Sequence, residues 1–205
     1  NFILNIINLL KKEKINKYYK IYNKHIDNFI SFYNKLKIAF NFDNITNTPI
    51  NQINKSIFNL GIDENLDFYN ETSNLYKNLL KFICDKLSEI LNIENSIKYN
   101  SDKDKWFIYC TNKRSLSLKN NIKKIKNPII KIPNCYYNLI KNEYKEINIL
   151  NIDYKKKDSS STILNLECIN FVSNKLFNLQ KKICDLNIKL YDNFIKENYI
   201  EFKND

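Results

Sequence analysis

From Ile15 to Phe40 the apolar side chains Ile15, Tyr18, Tyr22, Ile26, Phe29, Tyr33, Leu36 and Phe40 recur every three or four positions, the spacing of one amphipathic helix. A second run is more regular. Leu66, Tyr69, Ser73, Tyr76, Leu80, Ile83, Leu87 and Ile90 alternate steps of three and four without a slip, which predicts a coiled-coil-like helix over 64–93 with Asp63 available to cap it. The alternation returns at Ile169, Val172, Leu176, Leu179, Ile183, Leu186 and Leu190. With Ser159, Ser160, Ser161 and Thr162 as caps, it predicts a helix over 163–195. At 1.5 Å per residue the two would be roughly 45 and 50 Å long. That length match predicts an antiparallel pair in which each helix buries the other's stripe and carries the intervening residues at the far tip.

Between these helices the period changes. Trp106-Phe107-Ile108-Tyr109 is a strand-like run ending at Thr111, and Ile129–Ile132 and Ile147–Ile152 are further β-rich runs. Ser115–Ile125 predicts a helix with Leu118, Ile122 and Ile125 on one face. Pro128 and Pro133 bracket the next strand and make it short or an edge. The segment 41–61, with Pro49 and the only glycine, Gly61, is a connection holding one helical turn around 50–58. Residues 1–11 form a short apolar segment. The fold class is therefore mainly α with a small α+β insertion. Its parts are a helical core segment (1–61), an ascending helix (62–96), a basic α+β insertion (97–158) and a descending helix (159–205). At roughly 60 residues the insertion is marginal alone and needs the helices to hold it.

Charge changes this picture most. Residues 97–157 hold fifteen Lys/Arg against five Asp/Glu, so almost all of the +11 net charge sits in the insertion. From Lys105 to Asn142 there is no Asp or Glu, while Lys113, Arg114, Lys119, Lys123, Lys124, Lys126 and Lys131 all fall there, and Lys155, Lys156 and Lys157 form a second run. The chain has 37 Asn and abundant Ile and Lys, the coding bias of an AT-rich genome. Such a bias inflates Lys everywhere but does not gather it in one block. Segregated lysine points to a polyanion, and the near-absence of Arg points to backbone phosphates rather than base edges. Trp106, Phe107 and Tyr109 either stack on unpaired bases or alternate between the small core and solvent. Asn112, Asn120 and Asn121 are within reach of bases, but Asn is too common here for that to carry weight.

Candidate chemistry is sparse. One glycine makes neither a Walker A loop nor a dinucleotide fingerprint. His25 has no partner pattern, and the carboxylate pairs Asp102/Asp104 and Glu143/Glu146 stand isolated among lysines. Cys84, Cys110, Cys135, Cys168 and Cys184 are odd in number with no CxxC, which indicates neither a disulfide framework nor a zinc site and fits a reducing compartment. No run approaches a membrane span of about 20 apolar residues. The absence of Met, including at position 1, leads to the expectation that the chain is a piece of a longer protein. No catalytic residue, metal or cofactor is expected within it.

The order of parts resembles the core, lever and clamp region of the MutS DNA mismatch-repair proteins. Residues 58–68, FNLGIDENLDF, resemble the family's glycine-containing turn and the start of its ascending lever. Residues 106–119, WFIYCTNKRSLSLK, resemble the clamp strand ending in Thr before a Lys-Arg pair and a helix. Residues 159–180, SSSTILNLECINFVSNKLFNLQ, resemble the re-entry into the descending lever. The T-N-K-R start and the composition are most similar to the divergent MutS-like proteins of large DNA viruses and related mitochondrial genes.

The resemblance implies a clamp that closes over double-stranded DNA in a homo- or heterodimer, with Lys113, Arg114, Lys119, Lys123, Lys124 and Lys126 on its phosphates. It also implies an ATPase domain, with ATP and Mg²⁺, elsewhere in the parent protein. It implies a location in the nucleus, a viral factory or a virion, and no membrane partner. Two rival expectations stand beside it. A helical-hairpin interaction protein would pair its seams with another chain, and an RNA-binding accessory domain would expose aromatics among its basic residues.

Overall fold

The computed structural model describes residues 19–47, 55–102, 105–141 and 143–203. They fall into two compact units, Asn1–Ile62 and Asp63–Asp205. In the first, the predicted long helix is α1 (Tyr19–Ala39). Asn59 closes its end, donating from Nδ2 to the carbonyls of Lys37 (3.0 Å) and Ile38 (2.8 Å). Phe40 and Phe58 then bridge their backbones and stack their rings 4.7 Å apart. A short helix, α2 (Phe42–Asn47), follows, started by Asn41, whose Oδ1 accepts from the Asn44 N–H at 3.0 Å. Of the helical turn expected around 50–58, residues 50–54 lie outside the described residues and 55–58 are non-helical. Residues 1–11, Pro49 and the His25 side chain lie outside the described residues.

The second unit is built on two long helices, α3 (Glu64–Leu91) and α5 (Glu167–Lys203). Asp63 caps α3 by accepting from the Leu66 N–H, and Asn92, in the left-handed region at φ 52°, terminates it. Two cross-contacts fix their relative direction. Lys182 Nζ sits 5.0 Å from the Tyr69 ring, while Trp106 joins Lys77 (5.6 Å to its ring) to Ser173, whose Oγ accepts the Trp106 backbone N–H at 2.9 Å. Moving up α3 from Tyr69 to Lys77 thus means moving down α5 from Lys182 to Ser173, so the helices run antiparallel. Leu80, Ile83, Leu176 and Ile183 of the two seams are fully buried within this one chain.

The insertion between these helices is a four-stranded antiparallel sheet, a helix and a two-stranded ribbon. The strands are β1 (Lys98–Asp102), β2 (Lys105–Thr111), β3 (Ile129–Lys131), β4 (Glu146–Asn148), β5 (Asp153–Lys156) and β6 (Ser161–Asn165), and α4 spans Asn112–Ile122. The sheet order is β1-β2-β6-β5, with β3 and β4 as the ribbon. The ribbon is short, as Pro128 and Pro133 require. One correction concerns Ser159–Thr162, expected to cap the descending helix. Ser161 and Thr162 instead open β6, where Thr162 and Leu164 are buried and Ser161 and Ile163 face outward, and α5 begins only at Glu167. The period-2 burial of a central strand wins over the capping signal.

The insertion is also not confined to a far tip. The Tyr76 hydroxyl donates to the Leu139 carbonyl (2.8 Å), Ser88 Oγ accepts the Ile97 N–H (3.1 Å), and Ser173 Oγ holds Trp106. These bonds lay the insertion along α3 from Tyr76 to its end. The burial pattern follows. Before Tyr76 only Leu66 and Ser73 are buried on α3, whereas beyond it Leu79, Leu80, Ile83, Cys84, Leu87, Ser88 and Leu91 bury two faces. Helix pair and insertion share one continuous core, from Tyr76 and Leu80 through Ile108, Leu118 and Leu164 to Leu176. The insertion is therefore stabilised by apolar area that it does not own alone.

Candidate nucleic-acid interface

The six basic residues singled out from the sequence lie on α4 and the turn after it. Thr111 ends β2 and caps α4, its Oγ1 accepting from the Arg114 N–H at 3.4 Å. Leu118 and Ile122 drop into the core and Ser115 is buried, so the opposite surface is left to Lys113, Leu116, Lys119, Asn120, Lys123 and Lys124, all exposed. Lys119 and Lys123 stand one turn apart on one flank, and Lys113 and Lys124 share the other. Lys126 is exposed in the following turn.

Among the described residues none of these five lysines forms an ion pair. The ion pairs of the insertion are instead Lys131–Glu146 (3.7 Å) and Lys155–Asp153 (3.3 Å). Arg114 differs from its neighbours. It is half-buried, and Nη1 donates to the Ser96 carbonyl at 3.3 Å, which ties α4 to the loop after α3.

Two open grooves flank the helix. One, of about 580 Å³, runs between α4 and the end of α3 and is lined by Leu91, Ile93, Thr111, Lys113, Arg114, Ser117 and Asn121. The other, of about 280 Å³, lies against Ile149–Tyr154, with Lys119 and Lys123 at its edge. There Lys119 Nζ stands 5.7 Å from the Tyr154 ring.

Asn112, the first residue of α4, joins the two basic runs. Its Nδ2 donates to the Ser159 carbonyl (2.8 Å), its Oδ1 accepts from Thr162 Oγ1 (2.7 Å), and its backbone N–H donates to the Ser160 carbonyl (2.9 Å). The β5–β6 turn is itself ordered by Asp158, whose Oδ1 accepts the N–H groups of Ser160 and Ser161, both at 2.7 Å, and the Ser160 hydroxyl. These bonds hold its carboxyl below the ordinary carboxylate value. The turn that follows Lys155–Lys157 is thereby fastened to the start of α4, although Lys155 lies 42 positions beyond Lys113. Sequence reasoning noticed Asn112 only as a side chain within reach of bases. Its amide is committed to the hairpin, as that of Asn121 is to the Ile90 carbonyl (3.1 Å). Asn120 is exposed.

Burial pushes the thiols of Cys84 and Cys168 up to about 12 and that of Cys110 up to about 11. All five cysteines are free, and Cys135 is exposed. Among the described residues no three His, Cys, Asp or Glu side chains converge as a metal site, and no helix is long and apolar enough to cross a membrane. Glu146 is engaged with Lys131. Gly61, alone in open space at φ 89°, offers no phosphate loop. No family model and no curated protein matches the chain.

Proposed function

We propose that the α4 surface and the adjoining β5–β6 turn bind the phosphate backbone of double-stranded DNA without regard to sequence. The observation that carries this reading is that Asn112 fastens the β5–β6 turn to the lysine-bearing helix α4, whose lysines have no carboxylate partner among the described residues. A second feature supports it. Lys113 and Arg114 occupy the first turn of α4, which has no acidic residue. Cations at a helix N-terminus oppose the macrodipole, typically by about 0.3–1 kcal/mol each. An approaching phosphate removes that conflict, because it is attracted by both the cations and the helix end.

On this reading α3 and α5 act as stiff levers beneath a clamp, as in the MutS proteins that the chain resembles. The burial of Leu80, Ile83, Leu176 and Ile183 within this one chain supports the lever reading over seams offered to another chain. Coupling to an ATPase domain in a longer parent chain, and closure of two clamps in a dimer, belong to the same proposal. The test is a titration of two unrelated duplexes across a salt series, repeated after Lys119, Lys123 and Lys124 are changed to Glu. Equal affinity for both sequences and a loss in the variant are expected. A strong preference between the duplexes, or full binding by the variant, would refute the reading.

A further inference from the structure

The four-stranded sheet has a second face that the helices of its unit leave open. Ile108 and Cys110 on β2 and Thr162 and Leu164 on β6 are buried, whereas Phe107, Tyr109, Ser161, Ile163 and Asn165 all keep solvent exposure. Residues directly opposite in an antiparallel ladder share a face. Lys98 pairs with Tyr109, Tyr109 with Ile163 and Ile163 with Lys155, so these four form one row across the open face.

The Phe107 and Tyr109 rings lie 5.8 Å apart at the middle of that face. Lys157 reaches over both, its Nζ 4.8 Å from the Phe107 centroid and 4.7 Å from that of Tyr109. Lys155 turns to Asp153, but among the described residues neither Lys98 nor Lys157 has a carboxylate within ion-pair distance. The result is a pair of partly open rings with an uncompensated cation from each side of the sheet.

We infer that this face docks single-stranded nucleic acid. Phe107 and Tyr109 stack on unpaired bases, while Lys157 swings off the rings to one phosphate and Lys98 takes another on the opposite side. Charge complementarity selects a polyanion, and exposed rings select one whose bases are free to stack. Duplex bases are already stacked on each other, so duplex is not the ligand of this face. The site shares Lys157 with the β5–β6 turn but none of the α4 lysines, and it does not rest on the duplex reading.

The experiment uses the full 205-residue chain with single-stranded DNA and RNA oligonucleotides carrying a central 2-aminopurine, and the same DNA as a duplex control. Binding of a single strand with quenching of the 2-aminopurine is expected. In a Phe107→Leu/Tyr109→Leu variant, which keeps apolar cover but no rings, affinity should fall about 5- to 100-fold and quenching should vanish. Equal binding of DNA and RNA assigns recognition to base and phosphate, and an RNA preference adds the 2′-hydroxyl; both support the inference.

Absence of single-strand binding, or unchanged affinity and quenching in a folded double variant, would overturn it. If that variant unfolds, Lys98→Gln/Lys157→Gln decides, because losing two contacts should lower the salt slope by about 1.4, and an unchanged slope overturns the proposal. Lys119→Glu/Lys123→Glu/Lys124→Glu should leave quenching intact while duplex binding falls. The two sites can therefore fail separately.

Discussion

Asn112→Ala removes the side-chain bonds that fasten α4 to the β5–β6 turn, and its cost can be worked out bond by bond. The bond to the Ser159 carbonyl is exposed, and its net contribution is about 0.5–1.5 kcal/mol. The bond from Thr162 Oγ1 matters more, because Thr162 is buried and its hydroxyl proton loses its acceptor. Leaving such a donor unsatisfied costs about 1–3 kcal/mol. Ser115 Oγ, which donates its own proton to the Asn112 carbonyl at 2.8 Å and lies 3.3 Å from Thr162 Oγ1, can turn acceptor for the Thr162 proton and temper the loss. A total near 2–3 kcal/mol is expected for the alanine variant, read from urea denaturation. Asn112→Asp keeps the acceptor for Thr162 and puts a negative charge at the helix start, so it should lose clearly less than Ala. Duplex affinity should fall in Asn112→Ala even though no charge has changed, because the β5–β6 turn is no longer fastened to the start of α4. A destabilisation under about 0.5 kcal/mol, or Asp no better than Ala, would refute the role given to this amide.

Two further outcomes follow from the core. Leu80→Ala, at a fully buried position where both long helices and the insertion meet, should cost about 2–5 kcal/mol in chemical denaturation; a loss under about 1 kcal/mol would contradict the shared core. For the buried thiols Cys84, Cys110 and Cys168 the folded values lie above the ordinary 9.0, at about 12, 11 and 12. The unfolded chain therefore ionises first, and stability should hold below about pH 9 and fall as pH climbs from 9 toward the folded values. A thiol reagent at pH 8 should accordingly label Cys135 well before these three, and uniform labelling of the native chain would contradict their burial.

The long helices were legible in the sequence because burial repeats on one stripe and the termini are chemically marked. Asp63 sits at the cap of α3, and Leu66, Leu80 and Ile83 fall where the spacing predicts. The second buried face of α3, with Leu79, Cys84, Ser88 and Leu91, was not legible, since it answers to an insertion whose position depends on tertiary bonds such as that from Tyr76 to Leu139. β2, the Thr111 cap and α4 were also readable, as a switch of period followed by a capping residue. β1 (Lys98–Asp102) and β5 (Asp153–Lys156) are edge strands with almost no buried residue, so they carry no apolar alternation to detect. In the candidate site, the lysines announce themselves by charge alone. The Asn112 bonds span 47 and 50 residues in a chain with 37 asparagines, so neither proximity nor composition marks that residue. Likewise, Phe107 and Tyr109 separate from Trp106 only once the sheet defines an inside and an outside.

The central claim is that the α4 lysines take backbone phosphates, and the salt dependence of duplex affinity tests it most directly. Each lost phosphate contact lowers the slope of log K against log salt by roughly 0.9, so Lys119→Glu/Lys123→Glu/Lys124→Glu should reduce it by about 2.7 if all three engage. The unmodified chain should bind unrelated duplexes equally at every salt concentration. An unchanged slope and affinity in the triple variant would contradict the claim.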